Sequence, residues 1–253
     1  MVDSIRENTY WHIFFDDGNV LNDNNVRGAQ WKKILPQFFL TRFGGTEEIW
    51  SKANSRVIIE LTDKLEKRWT KKDRPKDFND FWDVVMIEWV EDMFKYADII
   101  LPDIDRIELY KDVSNFVIPQ VRSTNEGVKD TLHILWERGY NLYTASGEVS
   151  WELEGYILGM ECEKYLYERY YGPDLINEGK LSPIFFTKIF QDVVIDPSRA
   201  IVIDDNPYFL EYAKKAGAYI IQSHINVQKR IVADYVITSF REIPEIVEII
   251  TNC

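Results

Sequence analysis

The chain has 253 residues, 45% of them apolar, enough to bury a sizeable core as one large domain or as a core with a smaller companion. Its 30 basic and 42 acidic residues leave a net charge of −12, the wrong sign for gripping nucleic acid or an anionic membrane through a general field, so a small-molecule partner is expected. The two cysteines, Cys162 and Cys253, lack metal-ligand and redox spacing, and the apolar run after the charged stretch Met1–Asn8 is too short for a leader or a membrane span; a cytoplasmic setting is the expectation.

In chain order, the first element is the apolar, aromatic run Trp11-His12-Ile13-Phe14-Phe15, which stops at Asp16-Asp17-Gly18-Asn19 as a strand buried on both faces ends in a loop. From about Asn24 to Ile118 the apolar residues recur at helical spacing instead, through Trp31–Phe43, Glu47–Trp69 and Phe78–Tyr96. Gly44-Gly45 and the run Lys71–Lys76, read as an exposed loop, divide this block into bundle-like pieces. A helix over Asn125–Arg138, stopped by Gly139, then leads to the strand Asn141-Leu142-Tyr143 ending at Thr144. Helices over Trp151–Met160 and Ile184–Val193 precede the strand Ala200-Ile201-Val202-Ile203, which ends at Asp204. A helix over Pro207–Ala216, stopped by Gly217, is followed by the strand Ala218–Ile221, and Asp234–Ile237 has the form of a further strand.

Strands alternating with helices predict an α/β fold with a doubly wound, mainly parallel, Rossmann-like sheet. Because one strand precedes the helical block and the others follow it, the block reads as an inserted α-helical domain, 24–118, within a core of 1–23 and 119–253. In such a sheet, ligands bind beyond the carboxyl ends of the strands. The residues there are Asp16, Thr144, and Asp204 with Asp205. Carboxylates crowded at one edge are costly without a compensating charge, for which a hard divalent cation with oxygen ligands is the usual solution. Lys180, just ahead of the helix that leads to the Asp204 strand, is the obvious further cation.

This arrangement resembles the haloacid dehalogenase superfamily over nearly all of the chain outside the helical block. Phe14-Phe15-Asp16-Asp17-Gly18-Asn19-Val20-Leu21-Asn22-Asp23 is similar to its first motif, an apolar strand followed by Asp-x-Asp-x-Thr or Val. Thr144 matches the second motif, Lys180-Leu181-Ser182-Pro183 the third, and Asp204-Asp205-Asn206-Pro207 the fourth. The resemblance implies a hydrolase, most simply a phosphatase of a small phosphorylated metabolite, with Asp16 as the nucleophile that forms an aspartyl phosphate and Mg2+ as the cofactor. It implies Asp16, the Gly18 carbonyl, Asp204 and Asp205 as the metal site, with Asp16 and Asp205 direct ligands and Asp204 a ligand through water or an orienting neighbour. Thr144, Ala145 and Lys180 would bind the substrate, with Thr144 and Lys180 holding phosphoryl oxygens and main-chain amides beyond Asp16 completing the cradle. The helical block corresponds in position to the family's cap, which selects substrate.

One position departs from the pattern: Gly18 stands where family phosphatases carry the Asp that serves as general acid and base. Glycine keeps a carbonyl for a metal but cannot protonate a leaving alkoxide, help whose loss costs ~10²–10⁴ in rate. Either the leaving group is good, as in an acyl phosphate, or Asp17 or a cap residue supplies the proton, or the protein binds phosphate with little catalysis. Family members without that Asp also include phosphonate hydrolases, which need a Schiff-base lysine from the cap (Lys32, Lys33 and Lys52 are available), and 2-haloacid dehalogenases, which use no magnesium. The pair Asp204-Asp205 speaks for the phosphatase. Arg27, Arg42, Lys52 and Arg56 are possible contacts for an anionic substrate, with solvated helix faces as the default, and the helical block's tryptophans read as core. His12, His133 and His224 are too scattered for a zinc site.

Overall fold

A computed structural model describes residues 11–69, 75–167 and 169–252. Residues 71–74 of the run read as an exposed loop, Met1–Asn8 and Cys253 lie outside the described residues. The chain divides into two compact units, 25–122, and 1–24 with 123–253.

The discontinuous unit holds a five-stranded sheet: β1 (His12–Phe15), β2 (Asn141–Thr144), β3 (Ala200–Asp204), β4 (Tyr219–Ser223) and β5 (Tyr235–Ile237), in the order β2-β1-β3-β4-β5. Every pairing is parallel. Parallel strands need helices over both faces, which explains why Ile13, Phe14 and Phe15 are all fully buried and why the strand sequences are apolar runs rather than alternations. Phe14 stacks on Tyr143 at 5.0 Å and meets Phe190 at 5.3 Å, whereas its neighbour Phe15 points to the opposite face and stacks on Phe240 at 5.8 Å. The order places β1 between β2 and β3, so the chain reverses its direction of winding there and leaves a crevice at the carboxyl ends of β1 and β3.

The helices of this unit begin and end where local chemistry requires. The α5 helix (Val128–Glu137), so numbered because four helices of the other unit precede it, starts three residues later than the apolar pattern predicts. Asn125 is used otherwise, its amide donating to the Val20 carbonyl at 2.8 Å, and Gly127 takes a left-handed φ of 83° at the cap. After α6 (Ser150–Met160) and the single turn α7 (Pro173–Ile176) comes α8 (Pro183–Val193), in which Pro183 opens the first turn and the Ser182 hydroxyl caps it by accepting from the Ile184 amide at 3.3 Å. Asn206 and Pro207 repeat this device at the start of α9 (Pro207–Lys215), with Asn206 accepting from Tyr208 at 3.0 Å. The sequence reading contained no counterpart of α10 (Ile243–Thr251), which follows the capping box Ser239/Glu242 and buries Ile243, Val247 and Ile250.

The other unit is helical: α1 (Asn24–Phe43, its first residue falling in the sheet unit), α2 (Glu47–Trp69), α3 (Phe78–Ala97) and α4 (Arg106–Val117). Its core centres on Phe39, which stacks on Trp50 at 4.5 Å and meets Phe94 at 5.9 Å. Gly44 and Gly45 both adopt left-handed φ, which ends α1, and the Trp50 indole N–H donates to the Gly44 carbonyl at 2.8 Å. No described helix is long and apolar enough to cross a membrane.

Candidate active site

Strand register assembles the site. Phe15 lies opposite both Thr144 and Ile203, so Asp16, Ala145 and Asp204 emerge side by side at the same edge. The Asp16 amide donates to the Ile203 carbonyl at 2.9 Å, which fixes the first carboxylate on the crevice. Ligand oxygens of Asp16, Asp204 and Asp205 lie within 4.8 Å of one another, all on buried residues.

Lys180 is brought to these carboxylates by the loop before the Ser182 cap. Its buried ammonium donates to Asp16 Oδ1 at 2.7 Å and the Ala145 carbonyl at 2.7 Å, and pairs with Asp204 Oδ2 at 2.6 Å. Burial alone would lower the ammonium's pKa, but Asp16 and Asp204 outweigh it and hold Lys180 above its ordinary value. Burial pushes the Asp16 carboxyl up to about 8, against the pull of Lys180, with Asp204 and Asp205 adding to the rise. Asp204 is raised too, chiefly by burial.

The oxygens differ in what they can still bind. Both oxygens of Asp204 are engaged, Oδ1 by the Asn206 amide at 2.7 Å and Oδ2 by Lys180. Asp205 Oδ2 accepts from the Lys229 ammonium at 2.7 Å and the Asn19 amide at 3.1 Å. Among the described residues no hydrogen bond reaches Asp16 Oδ2 or Asp205 Oδ1. The donor set therefore fits a hard divalent cation: all oxygen, closely spaced, and with one open oxygen on each of two carboxylates. Thr144, the last residue of β2, is fully buried, and its hydroxyl has no hydrogen-bond partner. A buried orphan of this kind costs about 1–3 kcal/mol.

Two expectations change. Ala145, expected to contact the substrate, has its backbone engaged: its amide donates to the Phe15 carbonyl at 2.8 Å and its carbonyl receives Lys180. Ala145 anchors the lysine instead. Asp17, one of the possible proton donors, is fully buried and receives the Asn22 amide at 2.6 Å, while the Asn22 backbone closes onto the Asp17 carbonyl at 2.8 Å. Its carboxylate holds the turn together. Gly18 lies in the same turn, and a Cβ there would stand 2.7 Å from the Asn24 side-chain nitrogen.

The sequence reading missed Lys229 and the side-chain role of Asn19, because neither belongs to a strand end and no spacing rule links Lys229 to Asp205. In the helical unit, Lys32 and Lys33 are exposed, and Lys52 is exposed and paired with Glu48 at 2.6 Å, so none is desolvated as a Schiff-base lysine requires. Arg42 lies over the Phe38 ring, Arg56 pairs with Glu60 at 3.1 Å, and Arg27 is buried. His12 stacks on Tyr143 and His133 faces Glu137, away from any metal cluster, and Cys162 is a buried free thiol.

No family model matches the sequence, and no curated protein matches it. Solved structures do match in shape. The HAD-hydrolase YfnB from Bacillus subtilis, bound to magnesium, aligns with a TM-score of 0.67 at 14% identity, over 94% of this chain and 99% of that one. A 2-haloacid dehalogenase from Pseudomonas syringae pv. Tomato gives 0.65 at 16% identity over 95% and 99%. A HAD phosphatase from Thermococcus onnurineus gives 0.60 at 17% identity over 94% and 97%. With an α/β core wound about β1, a helical unit inserted after it, and these counterparts along nearly its whole length, the chain has the haloacid dehalogenase fold.

Proposed function

We propose that the protein is a hydrolase of small phosphorylated metabolites, using a magnesium ion and Asp16 as nucleophile. The observation that carries this reading is the buried triad Asp16, Asp204 and Asp205 around Lys180, with an open oxygen on Asp16 and on Asp205. A dehalogenating site has no use for so many carboxylates; a site that gathers a phosphoryl group and a divalent cation does. Asp16, whose Oδ1 is held by Lys180, would attack phosphorus; the bond from phosphorus to the leaving oxygen breaks, and water then hydrolyses the aspartyl phosphate. Asp16 must be ionised to attack, so Lys180 and the ion together offset the burial that raises it. The ion, when bound by Asp16, Asp205 and the Gly18 carbonyl, with Asp204 orienting, would neutralise charge on the transferred group. Thr144 and Lys180 would hold the phosphoryl oxygens, and the helical unit would act as the cap that selects the substrate.

With Gly18 in place of an acid and Asp17 held by Asn22, neither of these two positions supplies a proton to the leaving oxygen. The reading therefore favours substrates with good leaving groups. A second reading, carbon–halogen hydrolysis, is favoured by one observation: Lys180 and Lys229 pair with all three carboxylates. Hydrolysis of an acyl phosphate, an aryl phosphate, an alkyl phosphate and a 2-haloacid, by wild type and Asp16→Asn with and without magnesium, separates the two. Activated phosphates turned over only with magnesium and only by wild type are the expected result. Haloacid turnover without magnesium would replace the phosphatase reading, and inertness towards all four would leave a phosphate-binding protein.

A further inference from the structure

Lys229 is absorbed by none of these roles. It lies in the loop after β4, and its ammonium sits 2.7 Å from Oδ2 of Asp205, a carboxylate whose side chain is only 8% exposed. Asn19 approaches the same oxygen at 3.1 Å and is itself fixed, with a left-handed φ of 59° and its carbonyl accepting from Ser223 at 3.3 Å. The contact is thus built from two loops rather than left by a solvated lysine swinging at the surface. The Lys229 side chain is 33% exposed, which leaves it a path back to water.

We propose that Lys229 is a counter-ion that competes with the divalent cation for Asp205 and so sets the metal affinity of the site. With all three carboxylates ionised, they face two ammoniums, Lys180 and Lys229, and one net negative charge remains. An ion arriving on Asp205 meets a cation already on that carboxylate, and Lys229 must retreat before the ion is held. Lys180 cannot yield in the same way, because it is buried and held on three sides. The fold thereby has a metal-free state closed by Lys229 and a loaded state in which Lys229 is released. The inference rests on the reading of Asp205 as a metal ligand.

Calorimetric titration of magnesium chloride, at constant ionic strength, into chelator-stripped wild type, Lys229→Met, Lys229→Arg and Asp205→Asn tests it without reference to activity. Lys229→Met should bind magnesium roughly 10- to 100-fold more tightly than wild type, the worth of one charge-assisted hydrogen bond. Lys229→Arg, which keeps the charge, should stay near wild type, and Asp205→Asn should bind weakly. Equal or weaker binding by Lys229→Met overturns the proposal while leaving the metal site intact. Full binding by Asp205→Asn, or no binding by any folded variant, overturns the metal-site reading and the proposal with it. Lys229→Gln gives the same contrast if the methionine variant proves insoluble.

Discussion

Thr144 and Gly18 are the residues at which stability and the proposed function are expected to part. The Thr144 hydroxyl is buried without a partner, so it weakens the ligand-free protein. Thr144→Val should leave the urea midpoint unchanged or raise the stability by about 1 kcal/mol, yet lower kcat/KM on an aryl phosphate by about 10²-fold. A variant less stable than wild type, with unchanged kinetics, would mean the hydroxyl is structural. At Gly18 the added side chain would meet only the far end of Asn24, which is exposed and can turn away. Gly18→Asp should therefore fold, and should raise the rate on an alkyl phosphate by about 10²-fold or more while scarcely changing an aryl phosphate, since only the poor leaving group needs a proton. Equal effects on both substrates would show that the missing acid is not what limits the chemistry. Asp16, Thr144, Asp204 and Asp205 could be picked from the sequence because each stands at a strand end, and Lys180 as the cation just ahead of the helix that leads to β3. Lys229 could not, since its place beside Asp205 depends on the path of a loop with no regular period.

Elements were legible to the degree that one local signal dominated. The five strands are short apolar runs cut off by polar residues, and parallel strands buried on both faces must read that way. The α4 helix carries a sound signal, the Asp105 cap with Leu109, Val113 and Val117 at four-residue spacing, but it follows irregular chain after a long helix and was absorbed into the block. The α10 helix likewise announces itself only by the capping box at Ser239. What the pattern leaves open is the pairing order, which follows from packing helices on both faces of a twisted sheet. The energetic weight of that packing is testable on β1. Phe14→Ala removes a ring enclosed by Tyr143 and Phe190 and should cost about 3–5 kcal/mol in urea unfolding, whereas Leu158→Ala, on an exposed face of α6, should stay within about 0.5 kcal/mol. Similar losses for the two would mean that the sheet core is loosely packed.

At the scale of the molecule, the acidic edge makes the metal-free protein oddly sensitive to base. Burial raises Asp16 to about 8 in the folded chain, while the unfolded chain keeps an ordinary carboxylate near 4. Between those values the folded state holds the extra proton, so stability is greatest at the acid end of the window and falls as pH rises towards 8. His12 works in the opposite sense lower down: burial depresses it to about 4, so the unfolded state takes up the proton first and stability falls as pH drops below 6.5. The range from 6.5 to 8.5 isolates the carboxylates from His12. In chelator, the urea midpoint of wild type should decline across that range, and Asp16→Asn should flatten the decline and be the more stable protein at pH 8.5. On the proposed reading magnesium would bind the ionised cluster, so adding it should stabilise wild type more at pH 8.5 than at 6.5 and reverse the slope. A wild-type midpoint that rises with pH in chelator would mean that Lys180 and Lys229 already compensate the edge fully, and that the site has no charge left for a metal to neutralise.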